Sequence, residues 1–219
     1  MRTQTLLLLL FLTASIAPAD DRLFIRPWVE LEPLVRIDQG VYPIPIDVAE
    51  RQLLEEGRLL LSGMIYGWTF IYIPGDRARQ VQESFILTPV AQIPWGSPRL
   101  VVRESEVHEQ KLWAQLIYTM STEEALRRAS WESNTAELST GRGRALANAG
   151  PPGKGASLQD AIRDAIRLSL DTRVVNKPRQ ISGELVLWDD PQVFVRSGVY
   201  TTVAKVKLLV RELVPYRIF

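Results

Sequence analysis

The segment closest to a known ligand motif is Gly-Pro-Pro-Gly-Lys-Gly-Ala-Ser at residues 150–157. A phosphate-binding loop needs a glycine separated from its Gly-Lys pair by four residues, and a Ser or Thr directly after the lysine. Here Asn148 stands at the first of these positions, and Gly155 follows Lys154. The sequence therefore predicts a flexible linker at this segment and no phosphate site.

Metal and nucleophile chemistry would have to use His108, because it is the single histidine and the chain has no cysteine. The usual zinc sites therefore lack ligands. A Ser-His-Asp triad would also depend on this histidine, which lies in the charged stretch Glu-Ser-Glu-Val-His-Glu-Gln-Lys without a nucleophile motif beside it. We expect an exposed strand histidine, with no catalytic residues, no cofactor-binding residues and no metal ligands.

Paired carboxylates occur at Asp189 and Asp190, and glycosidases require such a pair. The same residues followed by Pro191 between two predicted strands are also ordinary turn chemistry. The sequence favours the turn, and a carboxylate-dependent hydrolase is the third functional hypothesis.

A row of aromatic residues at every second position is the candidate interaction surface: Tyr66, Trp68, Phe70 and Tyr72. On a strand, alternate residues share one face. Such a row could stack on a glycan or on peptidoglycan, and it is also typical of core packing or of a protein interface. We expect core or interface first and a glycan platform as the alternative.

The elements that carry these residues form two similar halves. The first, residues 47–140, begins with a helix from Asp47 to Gly57 and continues in strands. Residues 99–120 form one long strand or two, and a helix over 104–118 is the alternative. Ser121 opens a further helix with a capping box, which is expected to end near Leu138. The second half, residues 158–219, follows a Gly- and Pro-rich linker at 141–157.

The two halves share a short string, Leu-Ser-Gly-Met-Ile-Tyr-Gly-Trp at 61–68 and Ile-Ser-Gly-Glu-Leu-Val-Leu-Trp at 181–188. We interpret both strings as the start of a strand after a helix. The sequence thus predicts an α+β fold with helices packed on antiparallel sheet, built from two related α-β-β-β halves or from unrelated ones.

The N-terminus has the pattern of a secretory signal peptide over residues 1–19. Arg2 precedes a leucine-rich run, and Ala17-Pro18-Ala19 offers small residues for cleavage before Asp20. A retained anchor is the alternative. An extended, proline-rich arm follows at 20–46, with a short strand expected near Leu34 to Ile37.

Charge and cysteine content limit the functional classes. The chain has 26 Lys and Arg against 25 Asp and Glu, and removal of the signal peptide takes one Arg away, so the formal charge falls to zero. A nucleic-acid binder would need a basic face, and stable membrane insertion after signal cleavage is not expected. An exported protein without disulfides must rely on its core.

The second half resembles a known envelope module. The helix Gly-Ala-Ser-Leu-Gln-Asp-Ala-Ile-Arg-Asp-Ala-Ile-Arg-Leu-Ser-Leu-Asp, the strand ending in Trp-Asp-Asp-Pro and the Val/Lys/Leu return strand cover residues 155–213. They resemble the N-terminal module of flagellar assembly protein T and related exported lipoproteins. That resemblance implies a helix on a small antiparallel sheet and a role in assembly without catalysis. The whole chain is similar to uncharacterised exported proteins of spirochaetes.

These observations predict a non-enzymatic protein of the bacterial periplasm. It would act as a structural or interaction module of the envelope, associated with the flagellum or the cell wall. Its expected partners are other envelope proteins, or peptidoglycan if the aromatic row is a glycan platform.

Overall fold

The computed structural model describes residues 21–32, 42–133, 135–171, 174 and 178–216. The predicted signal peptide and the strand expected near Leu34 to Ile37 lie outside these residues. Three helices are described: α1 (Ile46–Ile65), α2 (Thr122–Ser130) and α3 (Pro151–Leu170). The strands are β1 (Arg22–Ile25), β2 (Trp28–Glu30), β3 (Trp68–Ile73), β4 (Ser84–Pro89), β5 (Leu100–His108), β6 (Lys111–Thr119), β7 (Glu137–Leu146), β8 (Gln180–Leu187), β9 (Gln192–Arg196) and β10 (Val199–Val214).

The first sheet is built around β6. One side of β6 pairs with β5 along its length, and the other side pairs with β1 and β2 in succession, all antiparallel. Leu112, Ala114, Leu116 and Tyr118 are buried on one face of β6, as their alternation predicts. Glu109 and Gln110 form the tight turn between β5 and β6, both with positive φ, so the alternative of a helix over 104–118 is wrong.

The second sheet has the order β4-β3-β8-β10-β7, with β9 also pairing with β10. All its pairings are antiparallel. The predicted α+β class with antiparallel sheets is therefore confirmed. The sheet joins β3 and β4 from the first predicted half to β8, β9 and β10 from the second, so each half depends on the other for strand pairing.

Helix α1 extends past its predicted end at Gly57 and includes Ser62 and Gly63. Leu53, Leu60 and Leu61 recur at helical spacing and are buried, and this continues the apolar stripe through the glycine. The string at 61–68 is therefore mostly helix, whereas the string at 181–188 lies in β8. The interpretation of the two strings as equivalent strand starts is wrong, and the strings give no support to a duplication.

The predicted linker at 141–157 contains regular structure. It holds the end of β7, a 3-10 turn at Ala147–Ala149 and the first turns of α3. Pro151 and Pro152 occupy the first positions of α3, where a missing N–H costs nothing and the fixed φ suits a helix. The prolines therefore mark a helix start. Helix α2 has the predicted capping box at Ser121 and ends at Ser130, short of the predicted end near Leu138.

A single main core connects both sheets through α1 and α3. Its buried members include Leu61 and Ile65 of α1, Leu116 and Tyr118 of β6, and Ile166 of α3. Helix α1 contacts β1, β2 and β6 of the first sheet and β8 of the second. The N-terminal parts of α1 and α3 lie on either side of a cleft. Within the described residues, no helix has the length and apolar character needed to span a membrane.

Helix α3 packs on β7 and β10, and it also covers the β7 edge. The Asp164 carboxylate accepts a hydrogen bond from the Arg142 N–H at 2.9 Å, and Asp160 accepts one from the Arg144 N–H at 3.1 Å. Side chains of α3 thus satisfy edge groups that would otherwise be free to pair with another strand.

Candidate functional site

A pocket of about 930 Å³ lies between the N-terminal parts of α1 and α3. Its floor comes from β2 and from Val193 and Tyr200 of β9 and β10. Most of the lining is apolar, with residues such as Trp28, Val48, Leu59, Leu60, Pro151 and Leu158. A volume in this range with an apolar lining and a few polar groups is typical of small-molecule sites.

Helical periodicity positions the two long walls. Helix α1 contributes Val48, Gln52, Glu55, Glu56 and Leu59, which recur at intervals of three and four and so share one helix face. The wall from α3 starts at its proline pair and includes Lys154, Gly155 and Leu158. Both walls therefore belong to long helices anchored in the core.

Lys154 is the central polar residue of the pocket. Only 7% of the residue is exposed. Its Nζ donates to the Trp28 carbonyl oxygen at 2.7 Å and to Glu56 Oε2 at 2.9 Å, and it lies 4.0 Å from the Trp28 ring centroid. Burial lowers the pKa of Lys154, and the Glu56 carboxylate partly opposes that effect. The lysine thus ties α3 to α1 and to β2.

Trp28 joins the two sheets beneath the pocket. It is opposite Trp113 in the β2–β6 pairing, with ring centroids 5.9 Å apart, and its centroid is 6.5 Å from that of Tyr200 in β10. The Tyr200 hydroxyl donates to Glu30 Oε2 at 2.9 Å. Burial and the nearby Glu30 raise the pKa of Tyr200, so this hydroxyl stays protonated at neutral pH.

Asp190 lies next to Pro191 at the edge of the pocket. Its Oδ2 accepts a hydrogen bond from the Arg26 backbone N–H at 2.9 Å. Burial raises the pKa of Asp190, that hydrogen bond opposes the rise, and the Asp189 and Glu56 carboxylates add to it. Two neighbouring carboxylates, Asp189 and Glu56, therefore act on Asp190.

The predicted aromatic row does not form an exposed surface. Phe70 is 1% exposed and Tyr72 is 6% exposed. Tyr72 stacks on Phe85 with centroids 4.4 Å apart. Tyr66 is the C-cap of α1 and is not in the strand, and its hydroxyl donates to the buried Glu124 carboxylate. Trp68 is half-buried. The first expectation, core packing, describes this row better than a glycan platform.

The other predicted residues lie where the turn and strand interpretations put them. Asp189 is in the connection between β8 and β9 and its carboxylate pairs with Lys205 at 3.1 Å. His108 ends β5 with an exposed side chain, near Glu109. Among the described residues, no three His, Cys, Asp or Glu side chains are grouped as a metal site would require. The structure does not bring these residues together.

The sequence patterns do not predict the pocket. Lys154 falls in the predicted linker because glycines and prolines surround it. The proline pair after Gly150 is a signal for the first turn of a helix, and it places the lysine on that helix. Glu56 and Trp28 gave no comparable signal, since their proximity depends on how α1 and β2 pack.

Comparison with known proteins identifies a family. A protein-family model matches residues 13–216, and the chain belongs to that family. The chain is similar to an "Uncharacterized protein" of Treponema pallidum (strain Nichols), with 27% identity over 192 residues, 88% of this chain and 81% of the relative. No solved structure matches the chain significantly. The expected likeness to uncharacterised spirochaete proteins is therefore confirmed at the level of the family.

Proposed function

We propose that this family member is an exported, non-enzymatic binding protein of the bacterial periplasm, and that its pocket holds the apolar part of a ligand. The observation that carries the proposal is the pocket of about 930 Å³ between α1 and α3. Apolar burial is the main favourable term in such binding. Walls that belong to core-anchored helices keep the pocket open without a ligand.

The pairing of polar groups in the pocket supports a binding role over a catalytic one. Lys154 is held by Glu56 and by the Trp28 carbonyl, and Tyr200 is bonded to Glu30. A nucleophile or general base must instead direct a reactive atom at the substrate. These groups link the elements around the pocket.

Export is supported by the signal-peptide pattern of residues 1–19. We expect the protein to be released from expressing cells by osmotic shock, with Asp20 as its first residue in intact-mass measurement. Recovery in the cytosolic fraction with residues 1–19 still attached would contradict this part of the proposal.

The binding role is tested by a substitution that fills the pocket. Gly155 lines it, and a Cβ added there meets no atom within 4 Å. Gly155→Trp should therefore abolish binding of the neutral fluorophore N-phenyl-1-naphthylamine, followed by its emission. Gly155→Ala is the matched control and should bind as the wild type does. Equal binding by all three proteins would refute the pocket as the site.

A second candidate function, binding to another envelope protein, is favoured by strand β5. It pairs with β6 on one side, and its other edge has no partner strand among the described residues. Val101, Val102 and Val107 are 54%, 43% and 58% exposed. An extended segment of another envelope protein could add to this edge. The resemblance of residues 155–213 to the flagellar assembly module makes flagellar or cell-wall proteins the partners we propose.

Photo-crosslinking separates this second candidate from the first. With a photoreactive residue at Val107, we expect cross-links in intact cells to one extended segment of an envelope protein. A synthetic peptide of that segment should bind the purified protein and lose affinity for Val107→Lys. The control Leu126→Lys alters an equally exposed site on α2. A peptide that does not bind, or that binds both variants equally, would end this candidate.

A further inference from the structure

We propose that the pocket's ligand is a single-chain amphiphile whose head group carries an ammonium. This deepens the proposed function and rests on it. The apolar walls would take the chain, and the carboxylates of α1 and β2 would receive the head. Two features support this ligand: the balance of charge around the pocket, and the partners that already hold Lys154, the cation among the described lining residues.

The pocket lining has an excess of acid. Among the described residues, its charged members are Glu30, Glu55 and Glu56 against Lys154, which gives a formal charge of −2. Asp190 lies beside it and is close enough to Glu56 and Lys154 for each of them to affect its pKa. A low-dielectric pocket strengthens such charges, so an anionic head would be repelled and a cationic head attracted.

Lys154 is not available to an anionic ligand. Its Nζ lies 2.7 Å from Glu56 Oε1 and 2.7 Å from the Trp28 carbonyl oxygen, while the Trp28 ring takes up a further side of the ammonium. A fatty-acid carboxylate would have to displace Glu56 and leave that carboxylate unpaired. A lysine in a lipid pocket usually pairs with the acid head group of the ligand. Here Glu56 of the protein already pairs with Lys154 in its place.

The pocket also offers hydrogen-bond acceptors in excess of donors. Glu55 lines the pocket on the solvent-exposed side of α1. The Gln52 side-chain oxygen, one turn earlier, has no hydrogen-bond partner among the described residues but is buried, so on this helix face Glu55 is the acceptor open to a head group. An ammonium has N–H donors and no acceptor, so its hydrogen-bonding pattern complements this wall as well as its charge does.

The test compares ligands that differ only in the head group. Decylammonium, decanol and decanoate are titrated below their micellar concentrations into the purified protein at pH 7, with calorimetric detection. We expect decylammonium to bind at least about tenfold more tightly than decanoate, a difference of about 1.4 kcal/mol, with decanol between them. Equal affinities, or a preference for decanoate, would overturn the ammonium proposal.

Decanol distinguishes the two proposals. If decanol binds to the wild type and not to Gly155→Trp while the three heads bind equally, the pocket function stands and the ammonium proposal fails. If no ligand depends on Gly155→Trp, both fail.

Substitution of Glu55 locates the head. Glu55→Gln should weaken decylammonium about threefold and leave decanol unchanged, because one carboxylate is removed without loss of apolar wall. Glu132→Gln, an exposed carboxylate far along the chain at the end of α2, is the control. Loss of decanol binding by Glu55→Gln would show that the residue acts through packing and would contradict its role at the head.

Two further probes distinguish a lipid head group, which includes a phosphate, from a cation without one. Decyltrimethylammonium carries a free cation, and decylphosphocholine carries the same cation next to a phosphate, as in a lipid head group. Tighter binding of decylphosphocholine would identify a lysophospholipid-like ligand, and tighter binding of decyltrimethylammonium a cationic amphiphile without a phosphate. If neither of these two probes binds while decylammonium does, the ligand is restricted to a primary amine.

Discussion

At the scale of the residue, the Lys154–Glu56 ion pair is the clearest link between the pocket and the stability of the fold. Removal of one partner leaves the other charge in a poorly solvated place. Lys154→Met or Glu56→Leu alone should therefore lower the free energy of unfolding by about 3 kcal/mol. The double variant, which replaces the pair by apolar groups, should recover most of that loss. Urea denaturation of the four proteins measures the coupling, and additive losses would contradict a direct pair.

Glu124 is a second buried charge, and its lowered pKa makes the free energy of unfolding depend on pH. Burial alone would raise its pKa, but hydrogen bonds from Tyr66, the Ser121 N–H, Arg99 and Tyr118 outweigh burial and hold it at about 2. Its folded pKa lies below the ordinary 4.5. The stabilisation is thus present above pH 4.5 and is lost as the pH falls toward 2.

Substitution of Glu124 tests this pH dependence. Glu124→Gln should cost about 2 kcal/mol at pH 7, because it leaves Arg99 and two tyrosines with a weaker acceptor. The difference from the wild type should narrow between pH 4.5 and pH 2.5, because the unfolded wild type takes up a proton at this carboxylate in that range while the folded protein still holds the charge. Unfolding curves across this range measure the difference. The control variant Glu123→Gln, at the exposed neighbouring residue, should show no such trend. A difference in unfolding free energy between Glu124→Gln and the wild type that stays constant over this pH range would refute the pH dependence assigned to Glu124.

At the scale of the element, the contact between α3 and β7 depends on glycine. A Cβ added to Gly143 would overlap the Ser157 carbonyl oxygen and the Ala161 nitrogen, both backbone atoms of α3. Gly143→Ala should therefore force the helix away and cost about 3 kcal/mol.

Gly155 on the same helix provides the opposite case, because its added Cβ meets open space. Gly155→Ala should stabilise the protein by about 0.5 to 1 kcal/mol through helix propensity. Thermal unfolding of the two variants gives the comparison. A loss with Gly155→Ala, or none with Gly143→Ala, would contradict the described packing of α3.

Local patterns were sufficient to predict much of the element list. The alternation in β6 and the capping box of α2 each depend on neighbouring residues, and the structure confirms both. The predicted end of α1 at Gly57 is wrong. A glycine is typical of a helix end, but here the lack of a side chain at Gly57 lets Leu116 of β6 pack closely against the helix. The pocket could not be predicted, since it exists only where α1, α3 and β2 meet. Local sequence has no information about the distance between Lys154 and Glu56.

At the scale of the whole molecule, the two sheets and the two long helices form one body with an apolar pocket at one end. Trp28 has contacts with both sheets, and Lys154 connects the helix walls to it. Some residues therefore serve both the fold and the pocket: Val29 and Leu60 of the main core, and Trp28 and Tyr200 of the smaller cluster, also line the pocket. We infer that the pocket is a preserved feature of the folded chain, which is what a binding protein requires.

Site-specific protection of an introduced thiol tests the central claim, occupancy of this pocket, most directly. The chain has no cysteine, so Leu59→Cys places a single thiol in the pocket lining, and Leu126→Cys places one on α2 as the control. The rate of modification by a maleimide is measured with and without decanol. We expect slower modification at position 59 when decanol is present and an unchanged rate at position 126. Equal rates at position 59 with and without decanol, or equal slowing at both positions, would contradict it.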